Sequence, residues 1–312
     1  MGGLRFALVG AGVIGEVHAR LIAATGSLTA VVDNDLERAR RLTSAFGGTP
    51  LTSLTEAFDL VDAVSVCLPS GAHADAAVLA LQAGKHVVIE KPIDITLAAA
   101  DRIIAAERAS GRTAAVISQR RFQPEAVAAH RLVTGGGLGR ITSGIAESTF
   151  WRPQSYYDAK PWRGTWVMDG GGALMNQGIH AVDLLLWLMG EPVEVLARAA
   201  CLAHDRIEVE DTVAAVVTFG SGALGTITAT TAAHPGHPVR VAVHGDRSSV
   251  VIGEGDSLDV AHLAQYTDFL EAVQDGRPPL VTTADARRAL AVVLAVYESA
   301  RTGTPVALNG DH

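Results

Sequence analysis

The chain has 312 residues and a formal net charge of -8, which leaves no electrostatic footprint for nucleic acid or an anionic membrane. Hydrophobic residues make up 48% and charged residues 19%, the balance of a compact folded protein and not of a disordered or fibrous one. The length predicts two domains, and the longest apolar runs, 184–189 and 289–296, fall short of the about 20 residues a membrane span needs. Cys67 and Cys201 lack metal-ligand spacing and read as small buried hydrophobes in a reducing cytosol. A first strand beginning at Leu4 leaves no room for a secretory signal, so the expected location is cytoplasmic.

In the first third, β-rich runs at 4–9, 28–32, 63–67, 86–89 and 113–117 alternate with helical stretches at 14–24, 36–45, 72–83 and 97–110. That rhythm predicts parallel strands with right-handed crossovers. Between the first strand and first helix stands Gly10-Ala11-Gly12-Val13-Ile14-Gly15, a G-x-G-x-x-G. Gly10 permits the tight turn and Gly12 a close approach of backbone to a pyrophosphate. Gly15 allows the helix to pack on the strand, and Val13 and Ile14 open that helix beside the phosphates. Asp33 ends the second strand eighteen residues after Gly15, where a carboxylate accepts from ribose hydroxyls and repels a 2′-phosphate. NAD is therefore expected over NADP, with Arg38 close enough in sequence to leave NADP open.

Pro69, Ser70 and His73 follow the next strand at its carboxyl end and are expected beside the cofactor, His73 serving equally well as a first-turn helix residue making local hydrogen bonds. The strand at 86–89 then runs into Glu90-Lys91-Pro92. Ligands of open α/β sheets bind just outside the carboxyl ends of the strands, so Glu90 and Lys91 join the cofactor list and Lys91 is the first catalytic candidate.

After about residue 120 the rhythm changes to β-like runs at 141–150, 193–202, 212–219, 223–231, 240–244 and 248–252, the pattern of an antiparallel sheet. A helix at 173–189 interrupts them, and helices at 263–274 and 284–301 close the chain. Before that first helix lies Asp169-Gly170-Gly171-Gly172, and along it Asn176, His180 and Asp183 stand at i, i+4 and i+7, one helical face. A polar stripe on so apolar a helix meets either a cavity or buried partners, one option being Asp183 orienting a core His180. Tyr157, Trp162 and Arg163 lie in a loop of sugar-binding residue types, and the alternative is that they pack an interface. Arg121 reads as a junction anchor or, less directly, a substrate ligand. His234 and His237 flank a Pro-Gly turn without further ligands, and no metal is expected.

The glycine loop, Glu90-Lys91-Pro92, Gln119-Arg120-Arg121-Phe122, Trp162-Arg163-Gly164-Thr165-Trp166, the triple glycine with His180 and Asp183, and Gly276-Arg277-Pro278-Pro279 together resemble the glucose–fructose oxidoreductase/inositol dehydrogenase (Gfo/Idh/MocA) family over nearly the whole length. The resemblance implies a doubly wound Rossmann domain over 1–120. It further implies an α/β domain over 121–312 with a large open-faced, mostly antiparallel sheet, and a final helix able to pack back on the Rossmann domain. It also implies a cis peptide before Pro92 and a homodimer or homotetramer built through the second sheet. The implied activity is hydride transfer between NAD and a secondary alcohol of a sugar, cyclitol or sugar derivative.

Many relatives carry an aspartate four residues before the histidine; here that position is Asn176, which cannot take a proton. Lys91, His180 and Asn176 form the expected catalytic set, with Asn176 also touching substrate and the proton falling to His180 first or else to Lys91. Some sugar-nucleotide members resemble this Asn…His arrangement. The alternatives are thus a sugar-nucleotide 3-dehydrogenase type with tightly held NAD, or a non-catalytic dinucleotide-sensing regulator.

Overall fold

The computed structural model describes residues 3–253 and 258–308. The chain divides into two compact units, 1–117 with 262–286, and 118–261 with 287–312. The first unit is interrupted: after the second unit is under way, the chain returns to it.

In the first unit β1 (Arg5–Val9), α1 (Val13–Thr25), β2 (Ser27–Val32), α2 (Leu36–Phe46), β3 (Thr49–Leu51), β4 (Ala63–Val66), α3 (His73–Gln82), β5 (His86–Ile89), α4 (Leu97–Ser110) and β6 (Ala114–Val116) follow in order. The six strands are all parallel in the order β3-β2-β1-β4-β5-β6. This is the Rossmann arrangement, with its switch point between β1 and β4. β1, β4 and β5 read as continuous apolar runs because helices cover both faces of a parallel sheet. β3 escapes the periodicity reading: it has three residues, one of them Pro50, and lies at the edge, where a missing amide is tolerated.

The second unit contains α5 (Pro124–Thr134), β7 (Ile141–Thr149), α6 (Gln154–Asp158), a π-helical turn at Leu174–Gly178, α7 (Ile179–Met189), β8 (Pro192–Ala200), β9 (Thr212–Phe219), β10 (Leu224–Thr230), β11 (Arg240–Gly245) and β12 (Ser249–Ile252). Then come α8 (Leu258–Asp275), α9 (Thr283–Thr302) and β13 (Val306–Ala307). Seven strands run β12-β11-β7-β10-β9-β8-β13, all pairs antiparallel except β7 with β10. Along β9 buried and solvent-facing side chains alternate, as a sheet with one open face requires.

The returning segment differs from expectation. It is the penultimate helix, α8, that supplies the first unit, while most of the last helix belongs to the second. Tyr266 and Phe269 of α8 join the core beside β1, packing on Phe6 with ring centroids 6.1 and 6.3 Å away. Cys67 is buried as expected, whereas Cys201 is exposed at the end of β8, its thiol donating to the main chain of His204; neither is in a disulfide.

Candidate active site

The glycine loop sits where the parallel sheet offers most room. Gly10 follows β1 with φ +97°, and a Cβ there would meet the Cys67 carbonyl at 2.4 Å. A Cβ on Gly15 would lie 2.0 Å from the Gly10 carbonyl, so only glycine lets α1 start this close to β1. Gly12 is different: a Cβ would touch nothing within 4 Å. Its missing side chain leaves an open cradle at the N-terminus of α1, where Val13 is 81% exposed and Gly12 offers no side-chain cap. First-turn amides and open space together suit a dinucleotide pyrophosphate.

Asp33 closes the other side. Its carboxylate accepts from Ala11 N at 2.8 Å and Asp35 N at 2.9 Å, tying the end of β2 to the glycine loop. It is 9% exposed and keeps lone pairs for a ribose. Arg38 pairs with Asp35 at 3.1 Å, and Arg41 reaches the Ala11 carbonyl at 3.4 Å.

Register brings Lys91 to the same sheet edge. Val9 pairs with Val66, and Val66 with Ile89, so Gly10, Cys67 and Glu90 leave the sheet at one level. Lys91, half-buried, follows immediately, and its peptide to Pro92 is cis. Pro69 and Ser70 lie two and three residues beyond Cys67, on the adjacent strand exit.

Glu90 is 5% exposed, and its side chain turns into the protein. Oε2 accepts from Lys91 N at 3.0 Å and Oε1 from His18 Nε2 at 2.8 Å. On the far side of that ring, Nδ1 meets Tyr266 Oη at 2.7 Å and Ser65 Oγ at 2.9 Å. His262 Nε2 lies 3.9 Å from Glu90 Oε1. The ligand atoms of His18, Glu90 and His262 are within 4.8 Å of one another, but the direct His18–Glu90 bond marks a hydrogen-bonded cluster. Burial works against charge on Glu90, yet the His18 hydrogen bond and charge, with Lys91 and His262 beyond, hold its carboxyl well below the usual range. Burial likewise opposes charge on His18, and Cys67, Tyr266 and Glu90 together raise it well above 6.5.

A pH signature follows. A depressed Glu90 contributes stability above about pH 4.5 that is lost as pH falls through its folded value; a raised His18 contributes below about pH 6.5 and loses it as pH rises. Wild type should therefore exceed His18→Gln in melting temperature most between about pH 4.5 and 6.5. A gap that stays constant from pH 4 to 9, about the full practical range, would contradict the charged pair.

His73 makes the local hydrogen bonds of a first-turn helix residue. Only 1% exposed, its ring places Nδ1 2.8 Å from the Pro92 carbonyl and Nε2 2.9 Å from that of Leu68. It braces the turn after Lys91 from within, and both its side chain and that of Glu90 are held by protein partners.

In the second unit the helix expected at 173–189 is two elements. The π turn at Leu174–Gly178 carries an extra residue per turn, so Asn176 is out of phase with α7 and the simple i, i+4, i+7 stripe is broken. Such turns recur at functional sites. Asn176 and His180 are both half-buried. Asn176 Nδ2 donates to Asp169 Oδ1 at 2.7 Å, while Asp169 Oδ2 accepts from Gly164 N at 2.8 Å. The amide orientation is thereby set, with Oδ1 turned away from Asp169.

Asp183 is not an orienter of His180. It is 5% exposed and takes Arg121 Nε at 2.8 Å, Nη2 at 2.6 Å and the Ser118 hydroxyl. Arg121, 1% exposed, also lies over Trp187 at 5.4 Å, the setting of an anchor in the core. Tyr157 is 5% exposed, its hydroxyl bonds Thr231 Oγ1 at 2.8 Å, and burial pushes its pKa up to about 12. Arg163 stacks on Tyr156 at 4.2 Å, donates to the Tyr156 carbonyl at 2.8 Å and lies 5.6 Å from the half-buried Trp162 ring.

Two family models match the chain: an oxidoreductase family with an NAD-binding Rossmann fold over residues 4–118, and a GFO/IDH/MocA C-terminal domain over 126–251. The chain belongs to the Gfo/Idh/MocA oxidoreductases. It is 29% identical to an inositol 2-dehydrogenase of Rhizobium meliloti, across 95% of this chain and 96% of that protein. The solved WlbA dehydrogenase of Bordetella pertussis, in complex with NADH and UDP-GlcNAcA, is 32% identical with TM-score 0.92, covering 99% of this chain and 100% of that one. GenD2 from gentamicin A biosynthesis, in complex with NAD, is 28% identical with TM-score 0.91 over 99% and 97%.

For a Gfo/Idh/MocA chain, the cradle at Gly12, the α1 terminus and Asp33 fit NAD. Sequence reasoning missed His18 and Asp169. His18 lies one helical turn beyond Gly15 on an otherwise apolar face, a usable signal; Asp169 reads in sequence only as the start of a glycine run.

Proposed function

We propose that this protein transfers a hydride between NAD and a secondary alcohol or ketone of a sugar, cyclitol or sugar derivative. The observation that carries the reading is Lys91, placed by strand register at the exit of β5 on the edge that also holds the open glycine cradle. Bound NAD supplies the hydride acceptor. Lys91 donates a hydrogen bond to the reacting oxygen and stabilises negative charge developing there. His180 takes the hydroxyl proton, a transfer that suits an imidazole near neutral pH. Asn176, with its Nδ2 held by Asp169, presents its carbonyl oxygen as an acceptor that positions substrate.

A nucleotide-linked sugar is the second reading within this class. It is favoured by Asn176 in place of the usual acid and by likeness to an enzyme solved with UDP-GlcNAcA. The reading also includes a cytoplasmic location, which the two free cysteines suit. It further includes a homodimer or homotetramer built on the open sheet face, where Leu196 and Val216 are paired across β8 and β9 at 43% and 47% exposure.

NADH absorbance across a panel of inositols, free sugars and sugar nucleotides tests the activity, and light scattering on the same preparation tests the assembly. NADH formation with at least one member is expected, as is a mass above one chain. Silence across the panel and its keto products would sink the enzyme and leave a dinucleotide-sensing regulator.

A further inference from the structure

Any helix begins with amides that lack an intrahelical acceptor. At the start of the π turn those amides meet two residues distant in sequence. Gly172 N donates to Glu210 Oε2 at 2.8 Å, and Leu174 N donates to Oε1 at 2.9 Å. Ala173 N donates to the Glu210 main-chain carbonyl at 3.1 Å, and Met175 N to Tyr297 Oη at 3.2 Å. Tyr297 Oη in turn donates to Glu210 Oε1 at 3.0 Å. The first helical bond follows directly, from Asn176 N to Gly172 O at 3.0 Å.

The glycine run fits this arrangement and not a ligand. A Cβ on Gly172 would lie 1.7 Å from the Glu210 carbonyl, and one on Gly171 2.2 Å from Tyr297 Oη. Glu210 is 5% exposed, and a carboxylate there also complements the positive end of the helix dipole. The bonds of this set reach to Met175, one residue before Asn176.

We infer that Glu210 and Tyr297 are positioning residues: as a joint cap they fix the turn that carries Asn176 and sets the approach of His180. The inference rests on the reading of Asn176 and His180 as site residues. The cap has a consequence for exchange that needs no substrate. Tyr297→Phe keeps the ring and removes one acceptor, so amide exchange at Met175 should rise about tenfold or more. Glu210→Gln keeps the volume and should do the same at Gly172 and Leu174, while α5 stays at its wild-type rates.

The His180 ring signals in NMR should shift in both variants. With an active substrate in hand, kcat should fall several-fold while KM for NAD holds. Wild-type exchange at Gly172, Leu174 and Met175 in both full-length variants would overturn the cap. Faster exchange with unmoved His180 signals would overturn its positioning role. A wild-type chain inactive on every substrate would count against the proposed activity alone, because the exchange and NMR readouts stand without turnover.

Discussion

Lys91→Met is expected to abolish turnover while leaving NAD affinity nearly unchanged. Met preserves length and apolar stem but removes the donor and the charge. Affinity for NAD should come mainly from the glycine loop, the α1 terminus and Asp33, none of which the Lys91 side chain builds. Removing one preorganised donor to a developing oxyanion costs about 10²–10³ in kcat, and more if the same group also moves a proton. Initial rates and an NAD titration on the purified variant separate the two effects. A variant that turns over within about tenfold of wild type would remove Lys91 from the catalytic set, since the loss is then smaller than one such donor supplies.

The second large effect concerns stability. Arg121 and Asp183 form a doubly hydrogen-bonded pair with 1% and 5% exposure. Replacing Arg121 alone by Met leaves a buried carboxylate with the Ser118 hydroxyl but without its cation, and should cost about 3–5 kcal/mol. Replacing both, Arg121→Met with Asp183→Leu, removes the charge together with its partner and should recover most of that loss. Urea unfolding of wild type, both single variants and the double variant gives the coupling directly. Equal losses in the single and double variants would mean that packing around Trp187, and not the ion pair, sets the cost.

Much of the scaffold was legible because it is local. β5, α4 and β9 fall where apolar runs, glycine stops and alternation place them. The cofactor cradle was legible for a stronger reason: glycine at 15 is demanded by the Gly10 carbonyl inside one strand–turn–helix unit, and glycine at 10 suits its own positive φ. α5 went unread although Pro124 at its first turn is a start signal. What the sequence hid is long-range. Tyr157 has the residue type of a sugar platform, and only the fold reveals its hydroxyl on Thr231, 74 residues away. Arg121 likewise looks available until Asp183, 62 residues on, is brought to it. The π turn left no pattern, because one added residue shifts the phase without changing composition.

The interrupted first unit bears on how the protein is made. Chains emerge from the ribosome amino end first, and domains ordinarily fold in that order. Here the opening sheet leaves the ribosome without Tyr266 and Phe269, the rings that pack on Phe6, and without the Tyr266 hydroxyl that meets His18. Its β-strands and glycine loop are complete by Ile117, yet its core is finished only after residues 118–261 have been synthesised. The cofactor-binding half is therefore the first to be started and cannot be the first to be completed.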